Sequence, residues 1–304
     1  KGGVRAKWRL NDTFSLRGAF ATQRLTEENT YTGPSVNNPG EYIQQLYAFA
    51  PIEHQENSGY LFLDAAFETG TIGHKMTVGY QGNNTRVKQH EDHIPSIGTQ
   101  YDDVIGRPLP IGDNEQVGKP SYSIGHGKQR LASTSQSNNF LIGDIITFND
   151  QWSSILGVTR TQIKTYGNDF VYSSPEKKTR YDESKTSPSL SLIYKPVPWL
   201  TTYATYMEGL QAGGTAPYYA RNAGEMFAPQ VSKQYELGAK ATVGETLLTL
   251  ALFNIEKPNG FTGGNGIYSE DGKQVNNGLE FSVTGKVTPE LTVVGGFTLL
   301  DPKV

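Results

Sequence analysis

The sequence contains no cysteine, and no apolar run approaches the length of a membrane-spanning helix. Without cysteine, disulfide bonds and thiolate metal sites are excluded. A spanning helix needs about 20 mostly apolar residues, whereas the longest apolar run, residues 247–253, is short and contains a threonine. If the chain crosses a membrane, it therefore does so with β-strands.

The chain also lacks an excess of positive charge. It contains 27 Lys and Arg residues and 30 Asp and Glu residues, so the net charge is -3. We expect no nucleic-acid partner, because such partners require a basic surface. No G-x-S-x-G motif, phosphate loop or dinucleotide fingerprint is present either, and the glycines of residues 263–266 are typical of a flexible loop. We therefore expect no enzymatic activity and no catalytic residues.

Turn-forming and aromatic residues are abundant, with 34 Gly, 17 Tyr and 13 Phe. Hydrophobic residues make up only 36% of the chain, and the mean hydropathy is -0.49. This is less apolar material than a large compact core uses. A β-barrel with a wet lumen accounts for the composition, since only its outward positions within the bilayer need to be apolar.

Residues 232–256 show the clearest pattern. Apolar residues alternate with polar or small ones in two arms, which is the period of a strand, and a short turn at residues 243–245 joins the arms. Each arm is close to the roughly 9 to 11 residues that a tilted strand needs to cross a bilayer. The pattern predicts a membrane hairpin with a periplasmic turn. The polar residues that we expect to face the lumen are Gln234, Glu236, Lys240 and Glu280.

About 12 such strands follow one another along the chain, and their connections alternate between roughly 3 to 5 and roughly 18 to 50 residues. A soluble sandwich has no reason to keep this alternation, whereas outer-membrane barrels have short turns on one side and long loops on the other. The predicted fold is all-β, a transmembrane antiparallel β-barrel. The long loops are predicted at residues 23–57, 85–135, 168–181, 209–231 and 257–276.

Three stretches carry a family resemblance: SPSLSLIYKPVPWLTTYATYMEGLQ (residues 187–211), NAGEMFAPQVSKQYELGAK (residues 222–240) and VNNGLEFSVTGKVTPELTVVGGFTLLDPKV (residues 275–304). In order and spacing they closely resemble the barrel of TonB-dependent ferric-siderophore receptors. The resemblance covers nearly all predicted strands and none of the loops. Its main motifs are Tyr194-Lys195-Pro196, Tyr203-Ala204-Thr205-Tyr206, Gly278-Leu279-Glu280 and Leu299-Leu300-Asp301.

The resemblance implies that residues 1–304 are part of such a barrel domain, about 12 of roughly 22 strands. The plug domain and the C-terminal strands would lie outside the sequence, and the opening KGGVRAKW, unlike a secretory signal, agrees with a fragment. The implied function is an integral receptor of the bacterial outer membrane that imports a ferric siderophore with TonB-transduced energy. Implied partners are the siderophore, TonB acting through the missing plug, and membrane lipid around a monomer. No cofactor is expected, because the iron arrives within its chelate.

Aromatic and basic residues in the predicted outer loops are candidates for ligand contact, since a ferric chelate offers flat, polarisable and often anionic surface. The ligand-binding candidates are Tyr101, Tyr122, His126, Tyr218, Tyr219 and Arg221. Four other aromatic residues, Trp152, Trp199, Tyr203 and Tyr206, are predicted to lie at the membrane interfaces. His90 and His93 match no zinc motif, so we expect no metal site.

The sequence alone leaves three alternatives open. Another TonB-coupled cargo, such as haem, cobalamin or a saccharide, requires the same barrel. A passive porin or a surface adhesin also uses such a barrel, but its gene would lack a plug before Lys1. A soluble all-β binding module would purify without detergent, whereas an outward apolar band requires a bilayer or a micelle.

Overall fold

The computed structural model describes residues 1–91, 96–98, 108–112, 127–170 and 175–304. Most of this backbone is extended, as the alternating sequence pattern predicts. None of the described residues belongs to a helix long and apolar enough to cross a membrane. The described strands are β1 (Gly2–Arg9), β2 (Phe14–Glu27), β3 (Thr30–Asn38), β4 (Glu41–Ala48), β5 (Ile52–Thr69), β6 (Ile72–His90), β7 (Ser96–Gly98), β8 (Pro108–Pro110), β9 (Gln129–Thr147), β10 (Trp152–Asp169), β11 (Lys177–Val197), β12 (Leu200–Gln211), β13 (Gln230–Val243), β14 (Glu245–Thr262), β15 (Tyr268–Lys286) and β16 (Thr292–Lys303).

Twelve strands form one antiparallel sheet in the order β1-β2-β5-β6-β9-β10-β11-β12-β13-β14-β15-β16. Each wall strand therefore pairs with the next wall strand along the chain, which is the arrangement of an up-and-down barrel wall. Most wall strands are longer than the roughly 9 to 11 residues that cross a bilayer. Strand β14, for example, has 18 residues. The predicted all-β barrel wall of about twelve strands is confirmed.

The two faces of this wall differ in chemistry. On one face Leu237 pairs with Leu252, and Leu250 pairs with Phe281. These leucines remain exposed in the wall, with Leu252 51% accessible. Because side chains of a strand alternate between faces, the neighbouring polar residues point the opposite way, into the lumen. The expected lumen positions Gln234, Glu236, Lys240 and Glu280 all share that polar face.

The short connections are tight turns. Val243 pairs with Thr246, so the turn between β13 and β14 consists of two residues. Its first residue, Gly244, has a φ of 60°, a left-handed conformation that costs glycine little and that suits a hairpin turn. Gly70, between β5 and β6, has a φ of 64°. The hairpin that the sequence predicts over residues 232–256 is confirmed.

The strands extend into every predicted long loop, and two of these loops are strand over most of their length. Residues 23–57 contain the ends of β2 and β5 and a complete β3–β4 hairpin, whose turn includes Gly40 with a φ of 85°. Residues 257–276 are mostly strand, because β14 ends only at Thr262 and β15 already begins at Tyr268. These loops are predicted from their many polar residues. Strands form there nevertheless, because strand pairing satisfies backbone hydrogen-bonding groups whether the side chains are polar or apolar. Within residues 85–135, the short strands β7 and β8 pair with β4 in a second sheet.

The sequence prediction is also wrong for Tyr203, which it places at the membrane interface. Tyr203 pairs with Gly238, a position on the polar face, and so its ring lies in the lumen rather than at the lipid boundary. Tyr206 pairs with Tyr235 on the apolar face, and Trp152 stacks on Tyr194 there with ring centroids 4.4 Å apart. Tyr203 and Tyr206 are three residues apart in β12, so strand alternation places them on opposite faces and cannot put both at the lipid boundary.

Candidate ligand-binding site

Residues 212–229, here called the β12–β13 loop, form a folded unit at the long-loop end of the wall. Thr215 and Met226 make an isolated bridge, and the amide of Gly224 donates to the carbonyl of Ala216 at 2.9 Å. Ala216 and Ala220 are buried, at 4% and 6% accessibility, so small side chains form the interior of the loop. The backbone is thereby held without a large apolar core.

Tyr218 and Tyr219 lie at the tip of this loop and point into solvent. Their side chains are 93% and 67% accessible. The rings meet edge-on, with centroids 5.5 Å apart and an interplanar angle of 82°, which is a favourable aromatic arrangement. Two aromatic faces are therefore presented together on a loop whose backbone is hydrogen-bonded internally.

Arg221 lies beside this tyrosine pair and is exposed. Its amide donates to the carbonyl of Gly266 at 2.8 Å, and its guanidinium donates to the carbonyl of Asn265 at 3.4 Å. The structure thus brings Tyr218, Tyr219 and Arg221, three of the predicted ligand-binding residues, onto one loop. The other three, Tyr101, Tyr122 and His126, lie outside the described residues.

Sequence reasoning missed the residues that hold this loop on the wall. The amide of Gly214 donates to the Glu270 carboxylate at 2.8 Å, and the amide of Gly213 donates to the Tyr181 hydroxyl at 3.2 Å. Burial raises the pKa of Tyr181 and also that of Tyr268. These residues lie far from the loop in sequence, and no local pattern marks them.

A second cluster at the same end surrounds Arg130. Its guanidinium donates to Glu176 at 2.5 Å and to Glu91 at 3.4 Å, and it lies 4.6 Å from the centre of the Phe170 ring. The hydrogen bond from Arg130 lowers the pKa of Glu176. The Arg130 guanidinium is thus already paired with two carboxylates and an aromatic ring. We therefore interpret the cluster as a structural link between neighbouring loops rather than as a ligand-binding site.

The histidine cluster of the sequence gives no metal site in the described part of the chain. The His90 imidazole donates through Nδ1 to the carbonyl of Gly127 at 2.7 Å, which is a structural contact. His93 lies outside the described residues. Among the side chains that the structure describes, no group of three or more His, Asp or Glu residues is placed to hold a metal ion.

Polar side chains in the lumen are joined in networks. The Tyr203 hydroxyl donates to Glu236 at 2.6 Å, and Gln234 donates to the other oxygen of Glu236 at 2.8 Å. On the opposite flank of the wall, Arg17 donates to Asp64 through Nε at 2.7 Å and through Nη2 at 3.2 Å. These groups satisfy one another, as polar groups of a wet lumen wall do.

The family follows from a match over the whole chain. Residues 1–304 match the family described as TonB dependent receptor-like, beta-barrel. The chain belongs to this family. This is a family of receptors and transporters. The match also agrees with the barrel wall, in which every wall strand pairs with its neighbour along the chain.

Among the relatives of this TonB-dependent receptor chain, the ferrichrome receptor FcuA of Yersinia enterocolitica is 28% identical over 314 residues. That alignment covers 100% of this chain and 40% of the relative. The metal-pseudopaline receptor CntO of Pseudomonas aeruginosa (strain UCBPP-PA14) is 22% identical, with 97% and 41% covered. The chain therefore spans less than half the length of these receptors.

Solved structures of similar receptors share the fold. BauA, the ferric preacinetobactin receptor of Acinetobacter baumannii, superposes with a TM-score of 0.74 at 24% identity, covering 99% of this chain and 44% of BauA. The siderophore receptor PiuA of Acinetobacter baumannii gives a TM-score of 0.75 at 18% identity, with 99% and 46% covered. At such identities the likeness establishes the barrel fold alone.

Proposed function

We propose that this chain is the barrel portion of an outer-membrane receptor that binds a ferric siderophore at its long-loop end and imports it with TonB-transduced energy. The observation that carries the proposal is the internally bonded β12–β13 loop, which presents Tyr218, Tyr219 and Arg221 above the wall of a TonB-dependent receptor barrel. The names of the relatives, which include receptors for ferrichrome and for ferric preacinetobactin, support a ferric chelate as the cargo.

In this proposal the loops recognise the chelate and the rest of the receptor moves it. The tyrosine rings contact its flat surface, and a guanidinium can donate two parallel hydrogen bonds to an anionic group. TonB, which draws on the proton gradient of the inner membrane, acts on a plug domain that is not part of residues 1–304. The receptor is an integral monomer surrounded by lipid. It performs no catalysis and needs no resident cofactor, because iron enters as part of the cargo.

The test uses the full-length gene in iron-starved bacteria. We expect a deletion strain to lose uptake of one labelled ferric siderophore, and a TonB-deficient strain to lose that uptake while still binding the chelate at its surface. Normal uptake of every ferric siderophore by the deletion strain would overturn the proposal. Uptake that continues without TonB would indicate a passive porin.

Binding to the purified receptor separates the remaining cargo classes. We expect the iron-loaded chelate to bind more tightly than the iron-free chelate. Tight binding of haem, cobalamin or a saccharide, with none of a ferric siderophore, would instead assign the receptor to that cargo.

A further inference from the structure

The side chain of Asn222 pairs with the backbone of Tyr268, the first residue of β15. Asn222 Nδ2 donates to the Tyr268 carbonyl at 2.9 Å, and the Tyr268 amide donates to Asn222 Oδ1 at 2.9 Å. The same residue pair thus exchanges two hydrogen bonds, as opposite residues of an antiparallel ladder do. The asparagine amide takes the place of a peptide group from a neighbouring strand, because it carries a donor and an acceptor in one plane.

Further contacts join the same two segments. The Gly214 amide bonds to Glu270, and the Arg221 amide bonds to the carbonyl of Gly266. The rings of Phe227 and Tyr268 meet edge-on with centroids 5.4 Å apart. All of these contacts link the β12–β13 loop to the tip of the β14–β15 hairpin. The two segments are therefore joined at several points. Among these contacts, Asn222 is the only side chain that bonds to both the amide and the carbonyl of one residue.

We propose that Asn222 is a positioning residue for ligand recognition, which fixes the β12–β13 loop on the β14–β15 hairpin so that the tyrosine pair and Arg221 form one preorganised surface. This inference rests on the proposed siderophore-binding function. A preorganised surface binds more tightly because less conformational freedom is lost on binding. Asn222 is three residues from Tyr219 and next to Arg221, so loss of its two bonds to Tyr268 weakens the attachment of the segment that carries all three ligand candidates.

Asparagine is the residue that this joint requires. Aspartate has nearly the same shape, but its carboxylate cannot donate to the Tyr268 carbonyl and would repel it. Leucine fills a similar volume, yet it leaves both backbone groups of Tyr268 without their partner, and the loss of two hydrogen bonds at this partly buried site is destabilising. Neither substitution touches Tyr218 or Tyr219.

The experiment uses the full-length receptor and the labelled ferric siderophore whose uptake the deletion strain loses. We expect Asn222→Asp and Asn222→Leu to raise Kd about tenfold, which corresponds to ~1.4 kcal/mol. Asn29→Leu, in the connection between β2 and β3 where Asn29 bonds to Glu27, is the matched control and should leave Kd unchanged. Migration of the unheated barrel in detergent gels establishes that each variant is folded.

A double-mutant cycle identifies the route of the effect. If Asn222 acts by placing the tyrosine pair, Asn222→Leu should have little further effect on Kd once Tyr218→Ala and Tyr219→Ala are present. An unchanged Kd for Asn222→Leu, or the same loss in both backgrounds, would overturn the inference.

Hydrogen exchange tests the joint without a ligand. We expect the amides of Gly214 and Arg221 to exchange faster in Asn222→Leu than in the wild-type receptor, and unchanged exchange would overturn the joint. A receptor that shows this effect but binds no ferric siderophore would contradict the proposed function while leaving Asn222 as the joint between the two segments.

Discussion

The ring of Tyr203 lies over Gly238, its cross-strand neighbour on the lumen face. A Cβ atom built on Gly238 would overlap the ring, which is held in place by its hydrogen bond to Glu236. Phe253 lies over Gly278 in the same way. The lumen wall thus pairs aromatic rings with glycines, an arrangement in which the ring covers backbone that glycine leaves bare.

The first prediction follows from this contact. Gly238→Ala should destabilise the barrel by about 1 to 3 kcal/mol, because the added methyl group forces the Tyr203 ring away from its place. Urea unfolding of the receptor in lipid vesicles would measure the change. Gly295→Ala is the control, since no atom lies within 4 Å of a Cβ at that wall glycine. Equal destabilisation by both substitutions would contradict the assigned role of the Tyr203 ring.

Local alternation predicts which face a residue takes when its own strand alternates clearly. Leu237 and Glu236 were assigned to opposite faces because a period of two is written in adjacent residues. Tyr203 cannot share the face of Tyr206, because the two are three residues apart in β12, and pairing with Gly238 in β13 decides that Tyr203 is the one on the lumen face. Register between strands is a tertiary property, and one sequence contains it only indirectly.

The candidate site divides in the same way. Tyr218, Tyr219 and Arg221 are predicted as ligand contacts from residue type and from their place in a predicted loop, and the structure brings the three together on the β12–β13 loop. Asn222 and Tyr268 were missed, because their pairing joins residues 46 positions apart in the chain and depends on how two loops dock. No compositional signal distinguishes Asn222 from the other loop asparagines.

The second prediction tests the assignment of the two wall faces with adjacent residues of β15. Phe281 pairs with Leu250 on the lipid-facing side, and Ser282 pairs with Thr249 on the lumen side. Phe281→Arg should destabilise the barrel by about 2 to 4 kcal/mol, the cost of a cation near the bilayer midplane.

Ser282→Arg is the matched control, because the same side chain then enters a polar lumen that already contains Glu280. We expect its free energy of unfolding in vesicles to stay close to that of the wild type. A larger loss for Ser282→Arg than for Phe281→Arg would reverse the assignment of the faces.

The third prediction concerns acid stability at the long-loop end of the wall, where β5 begins. Glu53 is buried at 6% accessibility and pairs with Arg24 and with Lys88, the latter at 3.6 Å. The hydrogen bond from Arg24 lowers the pKa of Glu53. A carboxyl group with a lowered folded pKa contributes stability above its ordinary pKa of about 4.3, and this contribution is lost as the pH falls through the lower value.

Wild-type receptor should therefore lose more stability between pH 7 and strongly acidic solution than the Glu53→Gln variant does. Denaturant titrations of both proteins at the two pH values would measure the difference. If the variant shows the same acid sensitivity as the wild type, Glu53 does not contribute to it.

The fourth prediction concerns the tyrosine pair itself. Tyr218→Ala and Tyr219→Ala should each raise Kd for the ferric siderophore, since an aromatic contact contributes about 0.5 to 1.5 kcal/mol beyond the area that it buries. Phenylalanine at either position keeps the ring, so retained affinity would identify ring contact rather than the hydroxyl as the source of binding. Tyr166→Ala is the control, because Tyr166 packs near Arg180 in the paired strands β10 and β11. Weaker binding in Tyr166→Ala, with unchanged binding in the other two alanine variants, would place the ligand away from the β12–β13 loop.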